Sequence, residues 1–166
     1  LADKTGALIS TAARMGVLFS GAPREYADPV TEYGERIGVA FQLVDDVIDL
    51  SPRAEATGKR AGTDLRAGVV TMPLLLLRAR AGAVAAEAAA LCERIDAGVE
   101  RIAAGEDPAL LDPEVEALRS HDVTRETEEA ARRWAADAVA ALEVLPKSPV
   151  KRGLERMAES IVSREG

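Results

Sequence analysis

The sequence predicts an all-α protein, and three observations carry that reading. Aromatic residues make up only 3% of the chain while alanine is abundant, a balance that favours helices over sheets. Apolar residues recur three and four positions apart through most of the length. No stretch alternates apolar and polar residues long enough to build a strand. The 166 residues suffice for one domain with a real core, and 48% hydrophobic against 30% charged residues is an ordinary globular balance.

The elements follow in order. "LADKTGALISTAARMGVLFSG" reads as a helix, with Leu8, Ile9, Ala12, Met15, Gly16 and Phe19 at helical spacing, and Gly21 and Pro23 end it. It opens without an initiator methionine and already in helical pattern, as the middle of a longer protein would. A second helix starts near Asp28-Pro29, with Asp28 as N-cap and proline at the first helical position, and runs to about Leu50. "SPRAEATGKRAGTD" has no periodicity and reads as a long irregular connection. After Thr71-Met72-Pro73 come a short apolar helix, "LLLLRARA", and an alanine-rich helix from about Val84 to Ala104. "GEDPALLDP" is a loop, followed by a short helix from Glu114 to about Ser120. Asp122 or Thr124 caps a long helix reaching Leu145, Pro146 stops it, and Ser148-Pro149 starts a last helix ending near Arg164. The expected architecture is a bundle of about seven helices joined mostly by short loops.

Charge and composition exclude several functions. Lys+Arg 21 against Asp+Glu 28 gives a net charge of −7, which argues against general nucleic-acid binding and against a polybasic membrane anchor. The longest apolar run, "VVTMPLLLL", is far short of the ~20 residues a bilayer span needs. A single cysteine, Cys92, cannot form an internal disulfide and fits a reducing, cytoplasmic setting.

The chemistry gathers in "FQLVDDVIDL". At about 100° per residue, setting Gln42 at zero places Asp46, Asp49 and Asp45 at about +40°, about −20° and about −60°. Gly38 falls on the same stripe and Gly34 flanks it, while Ile37, Ala40, Val44, Val47 and Ile48 cover the back. Acidic stripes on helices are ordinarily solvated faces. Apolar flanks, and glycines where solubilising residues would stand, argue instead for a site cleared on its front. Two carboxylates ~6 Å apart repel by about 3 kcal/mol at an effective dielectric of roughly 20, and a divalent cation relieves that. Hard oxygen donors with no histidine or cysteine beside them point to Mg²⁺ held together with phosphate. Lys59, between glycines in "GKRAGTD", and Lys4-Thr5 near the start offer ammonium groups to such a phosphate; the spacing of a P-loop is absent.

Together "KTGAL", "GVAFQLVDDVIDL" and "GKRAGTDLRAGVVTMPLL" resemble the trans-isoprenyl diphosphate synthases, or polyprenyl synthetases, and the resemblance extends weakly through the tail. "LRAGVVTMP" is closest in style to the long-chain members. The resemblance implies the isoprenoid synthase fold, an antiparallel all-α bundle around a deep cavity. It also implies Mg²⁺-dependent condensation of an allylic diphosphate with isopentenyl diphosphate. Asp45, Asp46 and Asp49 match the second aspartate-rich motif, with Asp45 as the direct Mg²⁺ ligand and the others acting partly through water. Lys4 and Lys59 match the lysines that grip the allylic diphosphate, and Thr5 and Gln42 match neighbours of the reacting carbon. Thr63 and Asp64 match a loop-organising Gly-Thr-Asp element, and Val69 stands roughly where many members carry a further lysine.

The family's first aspartate-rich motif and its isopentenyl-binding lysine and arginine are expected upstream of Leu1, so residues 1–166 read as the C-terminal part of a single synthase domain. That part, holding half of the metal site, is expected to show no turnover without the N-terminal half. A homodimer is expected from the same resemblance. The rival readings are a class I terpene cyclase, a non-catalytic subunit of a heteromeric prenyl synthase, and an acidic interaction module. The plain Asp-Asp-x-x-Asp speaks against the cyclase, and the retained aspartates against the non-catalytic subunit. His121 at a helix end reads as a structural or capping residue, Cys92 as core, Trp134 as a packing anchor between helices, and Arg164, close to the C-terminus, as a candidate to fold back toward diphosphate, as basic tails do in parts of the family.

Overall fold

The structure, a computed structural model, describes residues 2–51, 60–82 and 86–165. All-α is what it shows, with no strand among the described residues. The helices are α1 (Ala2–Phe19), α2 (Ala27–Asp49), α3 (Thr63–Arg66), α4 (Met72–Ala81), α5 (Ala86–Ala103), α6 (Asp112–Ser120), α7 (Asp122–Ala141) and α8 (Pro149–Val162). Short 3₁₀ turns cover Arg24–Tyr26, Pro108–Leu111 and Ser163–Glu165. No described helix is long and apolar enough to cross a membrane. The chain divides into two compact units, one of residues 1–44 and 128–166, the other of residues 45–127.

In the first unit, α1 and α2 touch backbone to backbone. A Cβ on Gly34 would lie 2.5 Å from Cα of Ser10, and one on Gly38 would lie 2.5 Å from Cα of Gly6. These glycines therefore make a helix crossing; they do not clear the front of the acidic stripe, as the periodicity had suggested. Because α1 packs on its small residues, with Gly6, Ser10 and Val17 buried, Leu8 and Met15 stay exposed and Phe19 is 82% exposed. Tyr33, Ile37, Ala40, Ala131, Ala138 and Leu142 fill the core of this unit. Trp134 is 39% exposed, so the expected packing anchor is a surface residue and the small alanines of α7 carry its buried face.

Local signals at the helix ends gave mixed results. Ser148 accepts from the backbone N–H of Lys151 at 3.1 Å, with Pro149 opening α8, as expected of an N-cap. Asp28 does not cap α2, which starts at Ala27 directly after the 3₁₀ turn; its carboxylate instead pairs with Arg14 at 2.9 Å. His121 supplies the cap ahead of α7, its Nδ1 accepting from the N–H of Val123 at 3.2 Å, while Thr124 donates to the carbonyl of Leu118 at 2.7 Å. The long helix ends at Ala141, short of Leu145.

Tyr33 is 1% exposed and donates its hydroxyl to the carbonyl of Leu154 at 2.8 Å, tying α2 to α8. Burial pushes its pKa from 10.0 up to about 12. The unfolded chain therefore loses this proton first, and stability falls as pH rises from 10.0 to about 12, by on the order of 2–3 kcal/mol. Tyr33→Phe should cost about 1 kcal/mol at neutral pH and flatten the alkaline loss. Thermal melts across that range check this; parallel curves for the two proteins would refute it.

In the second unit Leu65, Leu74, Leu77, Leu91, Ile95 and Leu118 form the core, with Cys92 among its buried neighbours as expected. The connection before α4, expected to be irregular, is partly ordered by the single turn α3. Arg66 on that turn is buried and donates to the carbonyls of Ala61 and Pro108, and it pairs with Asp112 at 2.6 Å. The stretch read as a loop before α6 holds the 3₁₀ turn, and α6 begins at Asp112.

Candidate functional site

The acidic residues occupy the last turns of α2, in the second unit. Asp46 is 7% exposed, and its Oδ2 accepts from the backbone N–H of Met72 at 2.7 Å. Asp49 Oδ2 accepts from the N–H of Asp64 at 3.1 Å, and the Asp49 carbonyl accepts from the N–H of Gly62 at 2.7 Å. Asp45 is half-buried. Backbone donors from 15 and 26 residues downstream thus fix two of the three carboxylates. Aligned N–H donors hold a carboxylate in one orientation, which a cation site needs and a solvated face does not.

Gly62 makes this possible. Its φ of 70° is left-handed backbone, and a Cβ there would strike the Val115 side chain. Only glycine turns the chain sharply enough to deliver its own N–H to Asp49 and, two residues on, that of Asp64. Thr63 closes the turn by donating to the carbonyl of Arg60 at 2.7 Å. The loop-organising role read for Thr63 and Asp64 matches this arrangement.

Electrostatics concentrate on Asp46. Burial pushes its carboxyl above the ordinary 3.8, the Met72 N–H pulls it down, and the charges of Asp64, Asp45 and Asp49 push it up again. Asp64 is therefore a fourth carboxylate in the cluster, which helical periodicity within α2 could not reveal; its place in the Gly-Thr-Asp turn was the available signal. Among the described residues, no group of three or more histidine, cysteine, aspartate or glutamate side chains is arranged to hold a metal ion by itself. The donor set nevertheless fits Mg²⁺, which takes one or two carboxylates and completes its shell with water and substrate phosphate. Like charges gathered beside a buried carboxyl are the electrostatic condition that such a cation relieves.

In the first unit, Thr5 donates its hydroxyl to Oε1 of Gln42 at 2.9 Å, so the structure brings together that predicted pair. Lys4 lies in the first turn of α1, but its side chain is outside the described residues, as is the whole of Lys59. Val69 is exposed. Arg164 stacks over the ring of Phe41, 5.9 Å from its centroid, beside Gln42 in sequence.

Comparison with known proteins gives one answer. The polyprenyl synthetase family pattern matches residues 1–103. A nonaprenyl diphosphate synthase of Mycobacterium tuberculosis is 34% identical over 99% of this chain and 46% of its own. An octaprenyl diphosphate synthase of Haemophilus influenzae is 36% identical over 98% of this chain and 46% of its own. Among solved structures, the polyprenyl synthase of Caulobacter crescentus, complexed with calcium and isoprenyl diphosphate, superposes with a TM-score of 0.81. It is 32% identical, over 99% of this chain and 48% of that one. The chain spans about half the length of the curated relatives it matches. On family pattern, sequence identity and fold alike, it belongs to the polyprenyl synthetase family.

Proposed function

We infer that the chain takes part in prenyl transfer, the Mg²⁺-dependent condensation of an allylic diphosphate with isopentenyl diphosphate to a longer polyprenyl diphosphate. The observation that carries this reading is the carboxylate cluster: Asp46 and Asp49 held by the N–H groups of Met72 and Asp64, with Asp45 beside them and Asp64 adding charge. In this reading Asp45 is the direct ligand of the cation, and Asp46 and Asp49 orient it partly through water. A bound Mg²⁺ supplies the positive charge that lets a diphosphate sit against carboxylates. Lys4 and Lys59 hold the same diphosphate by their ammonium groups, and Thr5 and Gln42 present a fixed hydroxyl–amide pair to the allylic substrate near the reacting carbon. The calcium and isoprenyl diphosphate in the Caulobacter relative's crystals support the pairing of a divalent cation with a diphosphate. The same proposal makes residues 1–166 the C-terminal part of one synthase domain, working with an N-terminal half, in a cytoplasmic homodimer.

Calorimetry with inorganic pyrophosphate, which carries the head group without an apolar chain, tests it. Heat is expected in the presence of Mg²⁺, lost on adding EDTA, and lost in the Asp45→Asn/Asp46→Asn/Asp49→Asn protein. Binding that ignores Mg²⁺, or that survives the triple substitution, would overturn the reading. Product analysis in the assembled synthase separates it from a terpene cyclase: elongation requires isopentenyl diphosphate, whereas cyclisation consumes the allylic substrate without it.

A further inference from the structure

Away from the carboxylates, the first unit holds two cavities that share Ser148. The larger, about 440 Å³, is lined by Gly16, Val17, Val30, Leu145, Val150 and Leu154 among others. Its wall is almost wholly apolar, with the hydroxyls of Ser20, Tyr26 and Ser148 the polar exceptions among its side chains. The smaller, about 290 Å³, is lined by Lys147, Lys151 and Arg152, with Glu155 and Ser148. Three cationic side chains against one carboxylate make a positive pocket in a chain whose net charge is −7.

The cations are placed to receive something. Lys151 is pinned, its ammonium donating to the carbonyl of Leu145 at 3.2 Å and of Glu143 at 3.5 Å. Among the described residues Lys147 and Arg152 engage in no ion pair, whereas Arg36 and Arg133 of the same unit pair with Glu32 and Glu129. An apolar cavity inside the ~300–1,000 Å³ range of small-ligand sites, sharing Ser148 with a pocket of unpaired cations, is complementary to one kind of molecule. That molecule has an apolar chain and an anionic head.

We propose that the Ser148 corner binds an amphiphilic phosphate: the hydrocarbon chain lies in the apolar cavity and the phosphate or diphosphate meets Lys147 and Arg152. The occupant is a single molecule. A concave cavity admits one chain, while a bilayer surface would need a convex apolar face. The site is separate from the carboxylate cluster in residues and in sign of charge, and it needs no divalent cation.

The test is titration of the chain with dodecyl phosphate in EDTA, below the concentration at which the probe forms micelles. Binding is expected, with dodecanol and inorganic phosphate each at least tenfold weaker. Lys147→Ala/Arg152→Ala should weaken binding about tenfold or more, since each substitution removes a charge-assisted contact. Gly16→Leu should abolish it: a Cβ at Gly16 meets nothing within 4 Å, so the added side chain enters the cavity without disturbing its helix. Asp46→Asn should leave it unchanged. Retained binding in both Gly16→Leu and the double variant would overturn the proposal, and so would equal binding of dodecanol. Capture by phosphatidylglycerol vesicles without binding of dodecyl phosphate would also overturn it, making the corner a membrane contact.

Discussion

Gly38→Val is expected to lose about 3 kcal/mol of stability in urea unfolding. At Gly38 a Cβ would lie 2.5 Å from Cα and 3.1 Å from N of Gly6, and both are backbone atoms that no rotamer change can move aside. Two helices would have to separate, unsealing the contact along which Ser10 meets Gly34 as well. Gly16→Ala is the control. Its Cβ has open space, and alanine in a helix interior is worth up to about 1 kcal/mol over glycine, so that variant should gain stability. A wild-type unfolding curve for Gly38→Val would show that the helix crossing tolerates opening.

Asp46→Asn should move stability and ligand binding in opposite directions. The folded state raises the pKa of this carboxyl, chiefly by burying it, so ionisation costs more in the folded than in the unfolded chain. Above the ordinary 3.8, and without a divalent cation, the charge therefore subtracts from stability. Asparagine keeps an oxygen to accept from the Met72 N–H and removes the charge, so its melting temperature at pH 7 in EDTA should rise. Mg²⁺-dependent diphosphate affinity should fall about 10- to 100-fold, the range for losing a group that orients a metal ligand. The opposition is diagnostic. An aspartate with no part in a cation site would leave the Mg²⁺-dependent affinity unchanged, and that result would count against the site.

What could be read in the sequence was whatever depends on near neighbours. The helical run through "FQLVDDVIDL" needs only the 3.6-residue period, and the α8 start needs only Ser148 before Pro149. The family resemblance rested on blocks of that kind, and the comparisons support it. Contacts between distant segments were not legible. Gly34 and Gly38 read as a cleared front because their partners, Ser10 and Gly6, lie in another helix. Leu8, Met15 and Phe19 share the helical spacing that marks α1, but that spacing does not say which face is buried, and the helix packs through its small residues. The one-turn α3 forms because Gly62 adopts a left-handed turn and donates to Asp49, a contact that periodicity within one segment cannot register. For the same reason three acids were visible on α2, while the backbone donors that orient two of them, and the added charge of Asp64, were not.

The Thr5–Gln42 hydrogen bond fixes more than two positions. Thr5 adjoins Gly6, where the helices meet backbone to backbone, so its side chain has little room to choose another partner. With its hydroxyl proton given to Oε1, the threonine oxygen keeps only lone pairs, and the Gln42 NH₂ keeps its donors. A group that meets that NH₂ must then be an acceptor. A rigid crossing of two helices has thereby set the polarity of a single amide.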